Sequence, residues 1–345
     1  MMDNKQGTQG VVQKRGLSSE KTKAMISKYG IVLILVALVI LWSSLSSAFF
    51  TTNNLLLIIK QVTLYGLLAV GMTFVLITGG IDLSVGSIVA LSAVVGAHFA
   101  AGEYVNAPLI LPIAASILVG LVCGLVNGLG VAYAGVPSFI MTLCMMMAAR
   151  GAAYVYTNAK AIFNLNENFV NIANGFLGRT YNDAGRVQNY GIPYMVFYFI
   201  AAMVIGFVLL HCTTYGRKVY AVGGNLTSAR YSGINVKRIE CSAYILSGVC
   251  AGVCGFLMAS RISSGNANSA GGYETTVISA AVIGGVSMSG GMGSMFGTLI
   301  GVLIVGVISN GMDIINVNTY MQQILQAVII FVAVYIDVRI NSKKK

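Results

Sequence analysis

The carboxylates, imidazoles and thiols of this 345-residue chain are sparse and do not gather. Asp82, Glu274, Asp313 and Asp337 each fall at or near the end of an apolar run, and His98 and His211 stand alone. Hydrolysis or proton abstraction needs a nucleophile or base beside an orienting partner, and a metal needs several ligands in register. Neither pattern occurs, and Gly-x-x-x-x-Gly-Lys-[Ser/Thr], His-Glu-x-x-His and Gly-x-Ser-x-Gly are all missing. Cys123, Cys144, Cys212, Cys241, Cys250 and Cys254 lie mostly in apolar runs without a CxxC pair. Cys250 and Cys254, at helical spacing, read as a packed face rather than a metal site. The expectation is a chain that performs no covalent chemistry and holds no metal.

Polar residues do concentrate in turns. In Gly79-Gly80-Ile81-Asp82-Leu83-Ser84-Val85-Gly86-Ser87 the paired glycines permit the positive φ of a tight turn, and Asp82 or Ser84 can cap the helix that follows. Gly284-Gly285-Val286-Ser287-Met288-Ser289-Gly290-Gly291 repeats the pattern, which hints at an internal duplication. The echo of Asn127-Gly128 in Asn310-Gly311 keeps a different offset, so no repeat register follows. Gly79, Gly80, Asp82, Ser84, Gly86, Gly284 and Gly285 are therefore candidates for helix turns or a solute path. Arg150 joins them, because a cation inside an apolar run needs either a structural partner or a water-filled cavity. Arg261 and Glu274 are placed to pair.

One strongly cationic stretch interrupts the apolar chain. Between 216 and 240 it carries Arg217, Lys218, Arg230, Lys237 and Arg238. Each would cost about 2.5 to 3.5 kcal/mol at a bilayer centre, so the stretch is a loop outside the lipid.

The elements that must position these residues follow from composition. The chain is 57% apolar and 9% charged, with a mean hydropathy of +0.82. Soluble domains are roughly a quarter charged, so this is an integral membrane protein, and its net charge of +11 concerns orientation rather than nucleic acid. Apolar runs at Tyr29–Phe50, Leu55–Gly79, Ser84–Ala101, Leu109–Ala132, Ser138–Tyr156, Ile192–Leu210, Ser242–Met258, Thr275–Val286, Met295–Ile308 and Met321–Ile336 predict an all-α bundle of about ten membrane segments. Thr275–Val286 and Met295–Ile308 are shorter than the roughly 20 residues of a full crossing, and read as broken or re-entrant helices or as tilted spans. Gly120, Gly124 and Gly128, Gly248 and Gly252, and Gly297 and Gly301 recur at helical spacing, as close backbone packing in lipid requires.

Lys and Arg cluster in the tail at 1–28, in the 216–240 loop and at the C-terminal end 341–345. The positive-inside rule puts these three, and hence both termini, in the cytoplasm. Residues 29–340 then form the membrane domain, with outer loops at 158–191 and 260–274.

Gly71-Met72-Thr73, the Gly79–Ser87 run, Ala221-Val222-Gly223-Gly224-Asn225 with Ser232-Gly233-Ile234-Asn235-Val236, and Gly284-Gly285-Val286-Ser287 recur in family-like order and spacing. From about Phe49 onward the chain resembles the permease subunit of bacterial ribose-type ATP-binding cassette sugar importers. The resemblance implies a homodimer in the bacterial inner membrane that translocates a monosaccharide by alternating access. A separate cytoplasmic ATPase would bind the ATP, and a periplasmic sugar-binding protein would deliver the solute. It also implies that Gly223, Gly224, Asn225, Ala229, Ser232 and Gly233 dock in a groove of that ATPase. The family commonly has Glu-Ala-Ala or a near variant after the Asn, where this chain has Leu226-Thr227-Ser228-Ala229. The rival reading is an ion-coupled secondary transporter of a small polar solute, which would usually hold a carboxylate or polar cluster in mid-membrane.

Overall fold

A computed structural model describes residues 30–182 and 187–342; the 1–28 tail and the terminal lysines lie outside the described residues. In chain order the helices are α1 (Gly30–Leu45), α2 (Thr52–Ile77), α3 (Val85–Ala100), α4 (Ile110–Ala132), α5 (Ser138–Thr157), α6 (Glu167–Asn174), α7 (Tyr194–Phe207), α8 (Thr214–Gly224), α9 (Leu226–Tyr231), α10 (Val236–Ile262), α11 (Tyr273–Ile283), α12 (Met295–Ile314) and α13 (Thr319–Ser342). A π-helical turn, Val208–Cys212, prolongs α7.

Six of these reach crossing length and apolarity among the described residues: α2, α4, α5, α7 with its π turn, α10 and α12. The apolar helices α1, α3 and α11 are shorter. Met295–Ile308 is not a short segment after all, because α12 runs on to Ile314. Asn310, which breaks the apolar run in sequence, is 5% exposed, and its side-chain amide exchanges hydrogen bonds of 2.9 and 2.7 Å with that of Asn54. Two amides that satisfy each other no longer need water, so the helix continues.

α2 and α10 form the centre. Every residue of α2 from Val62 to Ile77 is buried, as expected of a helix that is apolar on all sides. α10 packs along α4, α3 and α2. A methyl group on Gly120 or Gly124 would strike the α10 backbone at Gly248 or Tyr244, so the glycine spacing serves close helix approach. Large apolar side chains such as Leu118, Val122, Leu125, Ile200, Val204 and Phe331 face outward. Such a surface suits lipid contact and would aggregate in water.

The segment 158–191 is more structured than a plain connector: it contains α6 and the ladder Thr180–Tyr181 with Val187–Asn189, and its Phe176–Leu177 pairs antiparallel with Ile192–Pro193, so the helix expected from Ile192 starts only at Tyr194. These small strands are a departure from an all-α chain. α6 is clamped to α10, where Ser260 Oγ donates to the Phe169 carbonyl at 2.7 Å and accepts from the Ala173 N–H at 2.9 Å.

Candidate functional site

The 216–240 stretch folds as two short helices broken at Asn225. Asn225 is extended (φ −161°), which ends α8, and its side-chain oxygen accepts from Ser228 N at 2.8 Å, which starts α9. α9 closes at Gly233 (φ +78°), where Ile234 N donates to the Ala229 carbonyl at 3.1 Å. The six residues singled out in this loop do not share a surface. Gly224, Asn225, Ser232 and Gly233 are exposed, whereas Ala229 is buried and Gly223 turns into the protein. The surface instead presents Leu226, 48% exposed, and Tyr231, 88% exposed, among the exposed cations Arg217, Lys218, Arg230, Lys237 and Arg238. An apolar pair on an otherwise polar six-residue helix was the available signal for these two.

The glycine motifs, far apart in sequence, meet beneath this loop. Gly291 N donates to the Ile77 carbonyl at 2.8 Å, and a Cβ on Gly223 would overlap both that carbonyl and Gly291 N. A Cβ on Gly290 would crowd the Gly223 carbonyl and Gly79. Tyr220 of α8 adds a hydrogen bond of 2.7 Å to the Gly293 carbonyl. The end of α8 is therefore wedged between the turn after α2 and the turn before α12.

The two Gly-Gly turns do repeat, shifted by one position from their sequence match. Gly79 and Gly285 both have φ +86°. Each closes its helix alike: Gly79 N bonds to Leu76 O and Gly80 N to Val75 O, while Gly285 N bonds to Val282 O and Val286 N to Ala281 O. The structural partner of Gly79 is thus Gly285, and that of Thr78 is Gly284. Gly284 lacks a Cβ for another reason, the passing backbone of Gly297.

Asp82 and Ser84 do not cap α3 with their side chains. Ser84 occupies the N-cap position without a side-chain cap bond. Asp82 is fully buried; one carboxylate oxygen accepts from Ser84 N (3.0 Å) and Ser84 Oγ (2.5 Å), the other from Ser247 Oγ of α10 (2.8 Å). Asn127 of α4 donates to Ser84 Oγ at 2.9 Å. Burial pushes the Asp82 carboxyl above its ordinary pKa, with the Ser84 and Ser247 bonds opposing. The network joins the α2–α3 turn to α4 and α10, and each hydrogen bond within it is strengthened by the low local dielectric.

Arg150 of α5 has a structural partner: its guanidinium donates to the carbonyls of Ala267 (2.5 Å) and Ser269 (2.8 Å) and so holds the 263–272 loop. Arg261 turns to the Lys60 carbonyl at 3.4 Å rather than to Glu274. The Glu274 carboxylate lies where a Cβ on Gly86 would stand, which explains that glycine. Near the same end of the bundle, α2, α11, α12 and α13 line an open cavity of about 560 Å3 that carries several amide and hydroxyl side chains. No group of three or more His, Cys, Asp or Glu side chains placed to hold a metal ion occurs among the described residues.

A lipid-facing helical bundle with an open cavity at one end and a cation-rich two-helix loop is the architecture of a multi-pass membrane transport subunit. Residues 54–334 match the family described as the branched-chain amino acid transport system / permease component, and the chain belongs to that family. It is 39% identical over 318 residues to the ribose import permease protein of Escherichia coli (strain K12), covering 92% of this chain and 95% of that one. It is also 37% identical over 314 residues to an L-arabinose ABC transporter permease protein of Azospirillum brasilense, covering 91% and 88%. With the D-allose transport system permease protein of Escherichia coli (strain K12) it shares 37% over 317 residues, covering 92% and 93%. No solved structure matches.

Proposed function

We infer that this chain is the membrane permease subunit of an ATP-binding cassette importer for a monosaccharide. The observation that carries the reading is the near full-length similarity to permeases named for ribose, L-arabinose, xylose and D-allose. In this reading the chain hydrolyses no ATP and needs no cofactor; a separate cytoplasmic ATPase supplies the energy and a periplasmic sugar-binding protein the solute. Two copies form the membrane unit, each with about ten membrane segments once α1, α3, α11 and α13 are counted with the six crossing helices named above. The termini and the α8–α9 loop lie in the cytoplasm, and the 158–191 and 260–274 segments face outward.

The α8–α9 loop is the ATPase-coupling element. Leu226 and Tyr231 supply an apolar contact within a cationic rim, and the wedge of α8 against both glycine turns carries its displacement to α2 and α12. Coupling of this kind requires packed elements with two discrete arrangements, and glycine-lined contacts allow backbones to shift without side-chain repacking.

Reconstitution into vesicles tests the reading. With the ATPase and binding protein present, ATP should drive sugar accumulation; with this chain alone, neither a proton nor a sodium gradient should. Accumulation driven by an ion gradient without the ATPase would replace the importer by a secondary transporter.

A further inference from the structure

We propose that the cavity among α2, α11, α12 and α13 is a solute-binding station on the transport path, built for a neutral, polyhydroxylated ring and closed to zwitterions. The proposal rests on the importer reading and adds to it which residues meet the sugar. The volume, about 560 Å3, is within the range of small-ligand pockets, roughly 300 to 1,000 Å3. Its wall carries amides and hydroxyls: Gln61 and Tyr65 from α2, Tyr273 from α11, Ser309 from α12, and Gln323 and Gln326 from α13. None of the lining residues is Lys, Arg, His, Asp or Glu.

That inventory decides the ligand chemistry. An amino acid brings a carboxylate and an ammonium, and desolvating either without an opposite charge is costly. A sugar brings hydroxyls that both donate and accept, and a carboxamide offers both functions on one side chain. Gln61 donates to Tyr65 Oη at 3.2 Å and Gln326 to Ser309 Oγ at 3.3 Å, which orients each amide while leaving its carbonyl oxygen and second N–H for a solute. The rings of Tyr65 and Tyr273 meet edge to face, centroids 4.9 Å apart, and supply the apolar surface that the C–H face of a sugar needs. Gln322 donates to Asp313 (2.8 Å) and to the Val317 carbonyl (3.0 Å), so the turn between α12 and α13 is pinned at the cavity's edge. Gly271 and Gly272 of the 260–274 segment also border the space, on the side where the binding protein would release its sugar.

The test uses the assembled importer in vesicles with this chain carrying Gln326→Leu or Gln323→Leu, each of similar size but without the amide. Each should lower the maximal rate of sugar uptake about tenfold, the weight of one lost hydrogen bond that leaves its partner unpaired. The sugar concentration for half-maximal uptake should stay where the binding protein sets it. Relative rates for sugars that differ at one hydroxyl should change, which a merely structural role would not produce, and Gln326→Asn should recover part of the rate. Ala327→Phe fills the cavity without removing a polar group and should block uptake while the complex still assembles. If Ala327→Phe assembles and imports sugar normally, or if the Leu variants keep both rate and selectivity, the cavity is not on the path. If the unchanged complex imports none of the monosaccharides but does import leucine, the importer reading fails together with the proposal, an outcome the variants cannot mimic.

Discussion

Gly223 and Gly291 lie backbone to backbone at the end of α8, and Gly291 N donates at 2.8 Å to the same Ile77 carbonyl that a Cβ on Gly223 would overlap. Three segments more than 60 residues apart in sequence are held there without an intervening side chain. Neighbouring glycines on α8 consequently differ in kind: nothing lies within 4 Å of a Cβ built on Gly224.

Gly223→Ala should separate from Gly224→Ala. The first forces α8 away from Ile77 and should cost about 1 to 3 kcal/mol of stability, as overpacking does, together with most of the coupled transport. The second adds a methyl group to open space and should leave thermal stability unchanged. Thermal unfolding of the purified chain, followed by ATP-driven uptake, checks both; equal effects from the two substitutions would contradict the wedge.

Leu226→Ser and Tyr231→Ser should weaken capture of the ATPase subunit without altering the membrane fold. Tyr231 is 88% exposed and Leu226 about half exposed, so their loss removes little internal contact. Apolar anchors at an interface commonly cost 1 kcal/mol or more when truncated, so affinity should fall roughly fivefold or further. A pull-down titration with the ATPase measures this, and undiminished binding would move the docking face elsewhere.

At Asp82 the expectation concerns pH. Because burial raises the folded-state pKa, ionising the carboxyl is harder in the folded chain than in the unfolded one. Folding stability contributed by this group is therefore full below the unfolded pKa and is lost as pH rises through the folded value. Asp82→Asn, which keeps the size and most hydrogen bonds, should flatten the decline of stability with pH. Asp82→Ala should destabilise at every pH, since it leaves the Ser84 and Ser247 hydroxyl hydrogens without their acceptor, at about 1 to 3 kcal/mol. Thermal unfolding from acid to neutral pH checks the sign; an Asn variant with the slope of the unchanged chain would refute it.

Much of the candidate site was legible in sequence wherever local physics decides. Gly79 is a turn residue because only glycine holds φ +86° without strain, and the Gly120 and Gly248 spacings signal close helices because lipid provides little other drive for packing. Other readings failed where the partner lies far along the chain. The Asp82 carboxylate looked like a cap for the helix beside it, yet it bonds to Ser247, 165 residues away. The apolar run stopped at Ile308, yet α12 continues to Ile314 because Asn54 supplies the complement of Asn310 from a separation of 256 residues. The repeat was matched one position out because Gly284 and Gly285 both had to be glycine, for different reasons.

The amino-acid sequence alone determined that the chain is a membrane protein and where the tight turns fall, and it predicts that the 216–240 loop stays out of the lipid. Those outcomes follow from the transfer cost of charges and from backbone sterics, which each residue carries with it. Only the tertiary structure decided which face each helix turns inward. In segments that are apolar all round, periodicity carries no information about rotation. That Gln61 of α2 and Gln326 of α13 border one cavity, and that Gly223 rather than Gly224 bears on Ile77, had to be settled by how the helices pack.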